Sequence, residues 1–169
     1  MKCTPAEAGK LVKKLEDQLK DIQKKEKKSY KFCVSPAEDM ESLRPEYDFG
    51  QYQAEMDSLR ERIRLVKHAI NVFNTTHELP GFDGVTVDQA LIMLPQLKED
   101  KDRLQNMAAL LPRNRITYRS SNLIEYEIAN YDIEKANEGY RKVTDRISSL
   151  QLALDTVNLT ETVDLDFEF

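Results

Sequence analysis

Tryptophan is absent from this chain, aromatic residues make up 8% of it, and cysteine occurs twice. With so few large rings and 33% of its residues charged, the composition excludes a thick globular core. It points instead to long helices with wide solvated faces. Cys3 and Cys33 are too few and too far apart for a zinc site or a CxxC redox pair, and a chain of 169 residues needs no disulfide framework. They read as buried or idle thiols. No apolar run approaches the roughly 18 residues of a membrane span, and the first residues lack the apolar core of a secretion signal. The expectation is therefore a cytoplasmic protein with no membrane partner. An excess of positive charge is also missing. The 25 Lys and Arg against 30 Asp and Glu leave a net charge of −5, so no nucleic-acid partner is expected.

Catalytic constellations are missing as well. No Gly-rich phosphate loop, nucleophile elbow or Glu-x-x-His pair occurs, and neither His68 nor His77 has a Glu or His at the spacing of a helical metal site. The carboxylates Glu38, Asp39 and Glu41 lack the spaced oxygen ligands and central glycine of a calcium loop. The chain is read as non-enzymatic, with no catalytic residue, no metal and no cofactor; an enzyme whose carboxylates meet in a site assembled between helices is the less favoured reading.

What is present is helical periodicity. Residues 70–91, INVFNTTHELPGFDGVTVDQAL, separate two apolar series spaced by three and four, so one long helix ends there and another begins. Thr86 with Gln89 reads as a capping box, and Asn71, Asn74, Thr75, Thr76 and Gly84 supply the helix-ending and turn-forming chemistry. This amide and hydroxyl group is the candidate structural motif, expected to satisfy helix-end backbone groups and not to bind a ligand.

Four helices follow from the spacing. Thr4 and Pro5 open the first, with Ala8, Val12, Leu15, Leu19 and Ile22 on its seam. The lysines that crowd its end are favoured by the helix dipole and interleave with Asp17, Asp21 and Glu26. Asp48 and Gln51 read as a capping box for the second, whose seam runs Tyr52, Met56, Leu59, Ile63, Val66, Ile70, Phe73. The third spans 87–111 with Lys101 in its seam and Pro95 one turn in, where a kink is expected. Asp132 caps the fourth, seamed by Ile133, Ala136, Tyr140, Val143, Ile147, Leu150, Leu154 and Val157.

Three short segments carry β-type patterns. Residues 29–34, SYKFCV, read as a strand ahead of a polar loop over 35–45. Residues 115–119 and 123–130 read as a hairpin turning at Ser120, Ser121 and Asn122. It pairs Tyr118 with Ile124 and Ile116 with Tyr126, and opposes Thr117 to Glu125 and Arg115 to Glu127. The tail over 160–169 alternates strictly. Val163, Leu165, Phe167 and Phe169 on one side make it a strand seeking an edge, and they are the candidate interaction residues.

The fold class that results is mainly α. Residues 1–159 are expected to form a single four-helix antiparallel coiled-coil-like bundle, with a β head from 29–34 and 115–130 at one end and the acidic tail beyond it. A narrow coiled-coil seam buries little, so self-association into a dimer or higher homo-oligomer is expected.

The IN-x-x-NTT run over 70–76, the Gly84-x-Thr86-x-x-x-Ala90-Leu91 helix start, the Arg115, Tyr118, Arg119, Ser120 segment and the closing heptad helix resemble a family of small bacterial proteins labelled "septicolysin". The resemblance covers most of residues 6–159. The chain departs from the family in a longer linker over 29–45, in Leu159 where a Trp would follow the Asn, and in the added tail. The resemblance implies a cytoplasmic helical protein and carries no catalytic residue. A second likeness is one of architecture. A helix, a hairpin and a helix over 87–157 look like the prefoldin pattern, which implies a chaperone or adaptor module.

Overall fold

The computed structural model describes residues 1–117 and 124–165. Its elements are β1 (Lys2–Cys3), α1 (Pro5–Ser29), α2 (Met40–Leu43), α3 (Phe49–Thr76), α4 (Val87–Ala108), β2 (Arg113–Thr117), β3 (Ile124–Ile128), α5 (Ile133–Thr160) and β4 (Val163–Asp164). The protein is mainly α with small antiparallel β elements, as the periodicity predicts. Against the expectation of one domain over 1–159, the chain divides into two compact units. One is Met1–Thr76 with Val157–Phe169, and the other is His77–Thr156.

The first unit is an antiparallel pair of long helices, α1 and α3, closed by a two-stranded ribbon. Thr4 caps α1 with a full capping box: its hydroxyl accepts from the Glu7 amide and the Glu7 carboxylate accepts from the Thr4 amide. Asp48 caps α3 by accepting from the Gln51 amide, but the Gln51 side chain turns forward to Glu55, so the box there is half made. The seams meet as their spacing predicts. Ala8, Leu15, Leu59 and Val66 are buried in one cluster, with Val12, Leu19, Ile22, Ile63, Ile70 and Phe73 packed around it. Burying each such Leu or Val contributes about 1.5–3 kcal/mol, which outweighs the surface ion pairs that accompany it. Lys67 to Glu16, at 2.8 Å, bridges the two helices.

Cys3, Val163 and Leu165 complete that cluster. β1 and β4 pair antiparallel, Lys2 opposite Asp164 and Cys3 opposite Val163. The ribbon extends by one residue, because the Leu165 amide donates to the Met1 carbonyl at 2.8 Å.

The second unit holds α4, the hairpin β2–β3, and α5 as far as Thr156. The two helices run antiparallel. Met93 of α4 meets Arg146 of α5, and Leu104 faces Gly139. Beyond the helix ends, the Tyr131 hydroxyl donates to the Met107 carbonyl. On the α5 seam Ala136, Ile147, Leu150 and Leu154 are buried, and so are Val87 and Ala90 at the start of α4. Lys101 is half-buried in the α4 seam, and Pro95 is exposed within the helix.

Three expectations are corrected. Residues 29–34 are not a strand: α1 stays helical to Ser29, whose hydroxyl donates to the Lys25 carbonyl, and Tyr30 still donates to Glu26. β-type alternation makes no strand without a partner edge, and residues 31–34 have none among the described residues. The loop over 35–45 holds one helical turn, α2, capped by Asp39. The hairpin is shifted by one residue from the expected register: Arg115 pairs with Tyr126 and Ile116 with Glu125. Register is specified where one face is buried, and every residue of β3 is exposed. Burial therefore does not choose between the two registers. The expected turn and the Tyr118 pairing lie outside the described residues.

Candidate functional site

The amide and hydroxyl motif lies at the end of α3 and in the loop that leads to α4. The Thr75 hydroxyl donates to the Asn71 carbonyl at 2.9 Å and the Thr76 hydroxyl to the Val72 carbonyl at 2.8 Å. Both are back-bonds from a hydroxyl to a carbonyl one turn earlier, which in a helix running to Thr76 also accepts from the backbone amide four residues on. Asn71 is exposed and Asn74 half-buried. After α3 the chain closes a tight loop. The Leu79 amide donates to Val85 and the Val87 amide to His77, while Leu79 is buried. Gly81 and Gly84 make the turn with φ of 78° and 72°, a region costly to residues with a Cβ. Thr86 then caps α4, and its hydroxyl accepts from Gln89 while the Gln89 side chain accepts from the Thr86 amide. The hydroxyls of Thr75, Thr76 and Thr86 are thus all engaged with backbone groups.

The tail residues divide. Val163 and Leu165, read from the sequence as interaction residues, are 3% and 1% exposed in the protein's own core. The edge they find is β1 of the same chain. Phe167 and Phe169 lie outside the described residues.

The β-hairpin is built differently. Arg113, Arg115, Ile124, Tyr126 and Ile128 share one face, and Asn114, Ile116, Glu125 and Glu127 the other. The Arg113 guanidinium sits 3.6 Å from the centre of the Tyr126 ring, a cation–π contact that holds the two strands at one corner. Ile124, Tyr126 and Ile128 are nevertheless 57%, 45% and 67% exposed, and neither outer edge of the hairpin carries another described strand. A concave surface at its base is lined by Leu110, Leu111, Ile128 and Tyr131. Among the described residues, Arg115, Glu125 and Glu127 make no ion pair. Sequence alternation identifies these strands; it does not show that their apolar face is left uncovered.

Among the described residues two groups have perturbed protonation, both in the first unit. Burial, and then the nearby Glu7 carboxylate, push the Cys3 thiol up from its ordinary value, which disfavours the reactive thiolate. Desolvation, and then the Glu26 carboxylate to which its hydroxyl donates at 3.1 Å, push the Tyr47 phenol up. Among the described residues, no three metal-ligating side chains come together, and no helix is long and apolar enough to cross a membrane.

No protein-family model matches the chain, and no curated protein does. Among solved structures it is similar to the crystal structure of a functionally unknown conserved protein from Corynebacterium diphtheriae. The TM-score is 0.58 and the identity 17%, covering 97% of this chain and 100% of that one. At this identity the likeness establishes a shared fold and carries no activity with it.

Proposed function

We propose that the chain is a non-enzymatic, cytoplasmic interaction protein that works as a homo-oligomer of helical subunits. The observation that carries this reading is the β-hairpin, whose Ile124, Tyr126 and Ile128 present an apolar row on a sheet with open edges. Such edges are templates for pairing with another chain, and soluble proteins ordinarily blunt or cover them. No nucleic-acid or membrane partner enters the reading. The resemblance to the septicolysin-labelled proteins is compatible with it through the helix-ending motif alone.

Light scattering on the purified chain tests the reading. A stable oligomer is expected, and Ile128→Lys, a change at an exposed position, is expected to lower the mass while leaving the helical circular dichroism intact. A strict monomer across the accessible concentration range would end it.

A second reading is a prefoldin-like chaperone or adaptor, supported by a hairpin that joins the antiparallel helices α4 and α5. Suppression of aggregation of an unfolded client, abolished by the same substitution, would favour it over a purely structural oligomer.

A further inference from the structure

One segment of the first unit matches the hairpin's open edge. Residues 31–34 belong to no helix or strand, and their backbone amides have no partner among the described residues. Yet Tyr30, Phe32 and Val34 are 48%, 38% and 39% exposed, an unusual concentration of apolar surface outside regular structure. Among the described residues Lys31 forms no ion pair and stands 5.5 Å from the centre of the Tyr30 ring, and the Arg44 guanidinium stands 6.0 Å from that of Phe32.

We propose that residues 31–34 of one copy of this chain add as a strand to the outer edge of β3 in a second copy. The inference rests on the homo-oligomeric reading above and names its interface. In an antiparallel register with Phe32 opposite Tyr126, Val34 faces Ile124, while Tyr30 remains the helical C-cap of α1 just ahead of the added strand. The apolar rows then lie on one face. On the other face Lys31 falls opposite Glu127, pairing two charges that form no ion pair among the described residues. Cys33 falls opposite Glu125. Against the edge of β2 the same segment meets Arg113, Asn114, Arg115, Ile116 and Thr117, so Lys31 finds no acid in any register. Charge and apolarity together select β3. The backbone bonds of the added strand supply affinity, and the alternate side chains supply the register.

The test uses the native thiol. In Glu125→Cys the new cysteine would stand directly opposite Cys33 of the second copy, within disulfide reach of a paired strand. Cys33 is exposed and Cys3 is buried, so the former is the reactive one. Full-length chains carrying two different tags are mixed, mildly oxidised and separated without reductant. The expected result is a disulfide between differently tagged chains at position 125. It should be lost when Cys33→Ser is added, and it should be absent in Asn114→Cys, which places the thiol on the other strand. Lys31→Glu is expected to lower the light-scattering mass, and Glu127→Lys in the same chain to restore it. A link confined within one chain overturns the exchange between copies, and so does equal linking at 125 and 114. If the protein is an oligomer but does not link through Cys33, this interface fails and the oligomeric reading stands. If it is a monomer, both fail.

Discussion

Met1 and Leu165, 164 residues apart in sequence, exchange both backbone hydrogen bonds. The Met1 amino nitrogen donates to the Leu165 carbonyl at 2.6 Å, and the Leu165 amide donates to the Met1 carbonyl at 2.8 Å. Leu165 is 1% exposed, so this reciprocal pair positions a fully buried side chain. Leu165→Ala should destabilise the first unit by about 2–4 kcal/mol, because the lost transfer energy is joined by that of the cavity left behind. Asp164→Ala, which removes only the exposed pair to Lys2, should cost about 0.5 kcal/mol or less. Urea denaturation of both variants checks the contrast; equal effects would mean that β4 is not packed as described.

The start of α4 depends on one hydroxyl. Thr86→Ala should cost about 1 kcal/mol by leaving a helix-end amide unpaired, whereas Thr86→Ser should cost little. Gly84→Ala should cost about 1–2 kcal/mol through its left-handed φ alone, since nothing lies within 4 Å of an added Cβ. Thermal unfolding followed by circular dichroism reads all three.

Gly139 of α5 offers a stabilising change. An added Cβ would stand 3.5 Å from the Leu104 methyl groups, an ordinary contact distance, and the helix interior favours Ala over Gly. Gly139→Ala should raise stability by about 0.5–1 kcal/mol, whereas a bulkier residue there should press on Leu104 and reverse the sign. A urea midpoint shifted upward for Ala and downward for Leu is the expected pattern.

The Tyr47 phenol sets a pH dependence. Its folded value is raised, so the neutral form is the one the fold favours. The corresponding stability is fully present below the ordinary value of 10.0 and is lost as the pH rises through the higher folded value. Spectrophotometric titration should show one tyrosine ionising late, absent in Tyr47→Phe, and the variant should lose less stability on the alkaline side. Glu26→Gln should move the titration back toward the ordinary value.

The hairpin register can be read directly. Nuclear Overhauser contacts should join Arg115 to Tyr126 across the strands, not Arg115 to Glu127. Arg113→Ala should weaken the hairpin by about 0.5–1 kcal/mol, the worth of an exposed cation–π contact.

The helices were readable because a seam of threes and fours carries its own phase: Met56, Leu59 and Val66 are buried where the spacing puts them. Caps were readable for a similar reason, since Thr4, Asp48, Thr86 and Asp132 all accept from amides two or three residues on. The β segments were harder. Alternation shows which residues share a face, but not which edge a strand meets. So the expected strand over 29–34 meets no described strand, while Val163 and Leu165 find an edge in residues 1–3. The register of β2 and β3 escaped for want of a buried face, and no feature of the local sequence announces that Arg113 will stack on Tyr126. That α3 stops near Thr76 was readable from the polar and turn-forming residues that follow its apolar seam. A partner for the exposed hairpin is not written in spacing at all.

The ribbon of β1 and β4 also sets an order of events on the ribosome. Cys3 and Ala8 emerge early, but Val163 and Leu165, which share their core, are translated only after all of α4, β2, β3 and α5. At about 5–20 residues per second, the gap between finishing α3 and producing β4 is on the order of 5–20 s. For that interval the nascent α1–α3 pair has part of its apolar seam uncovered, and the entire second unit is synthesised before the first can close.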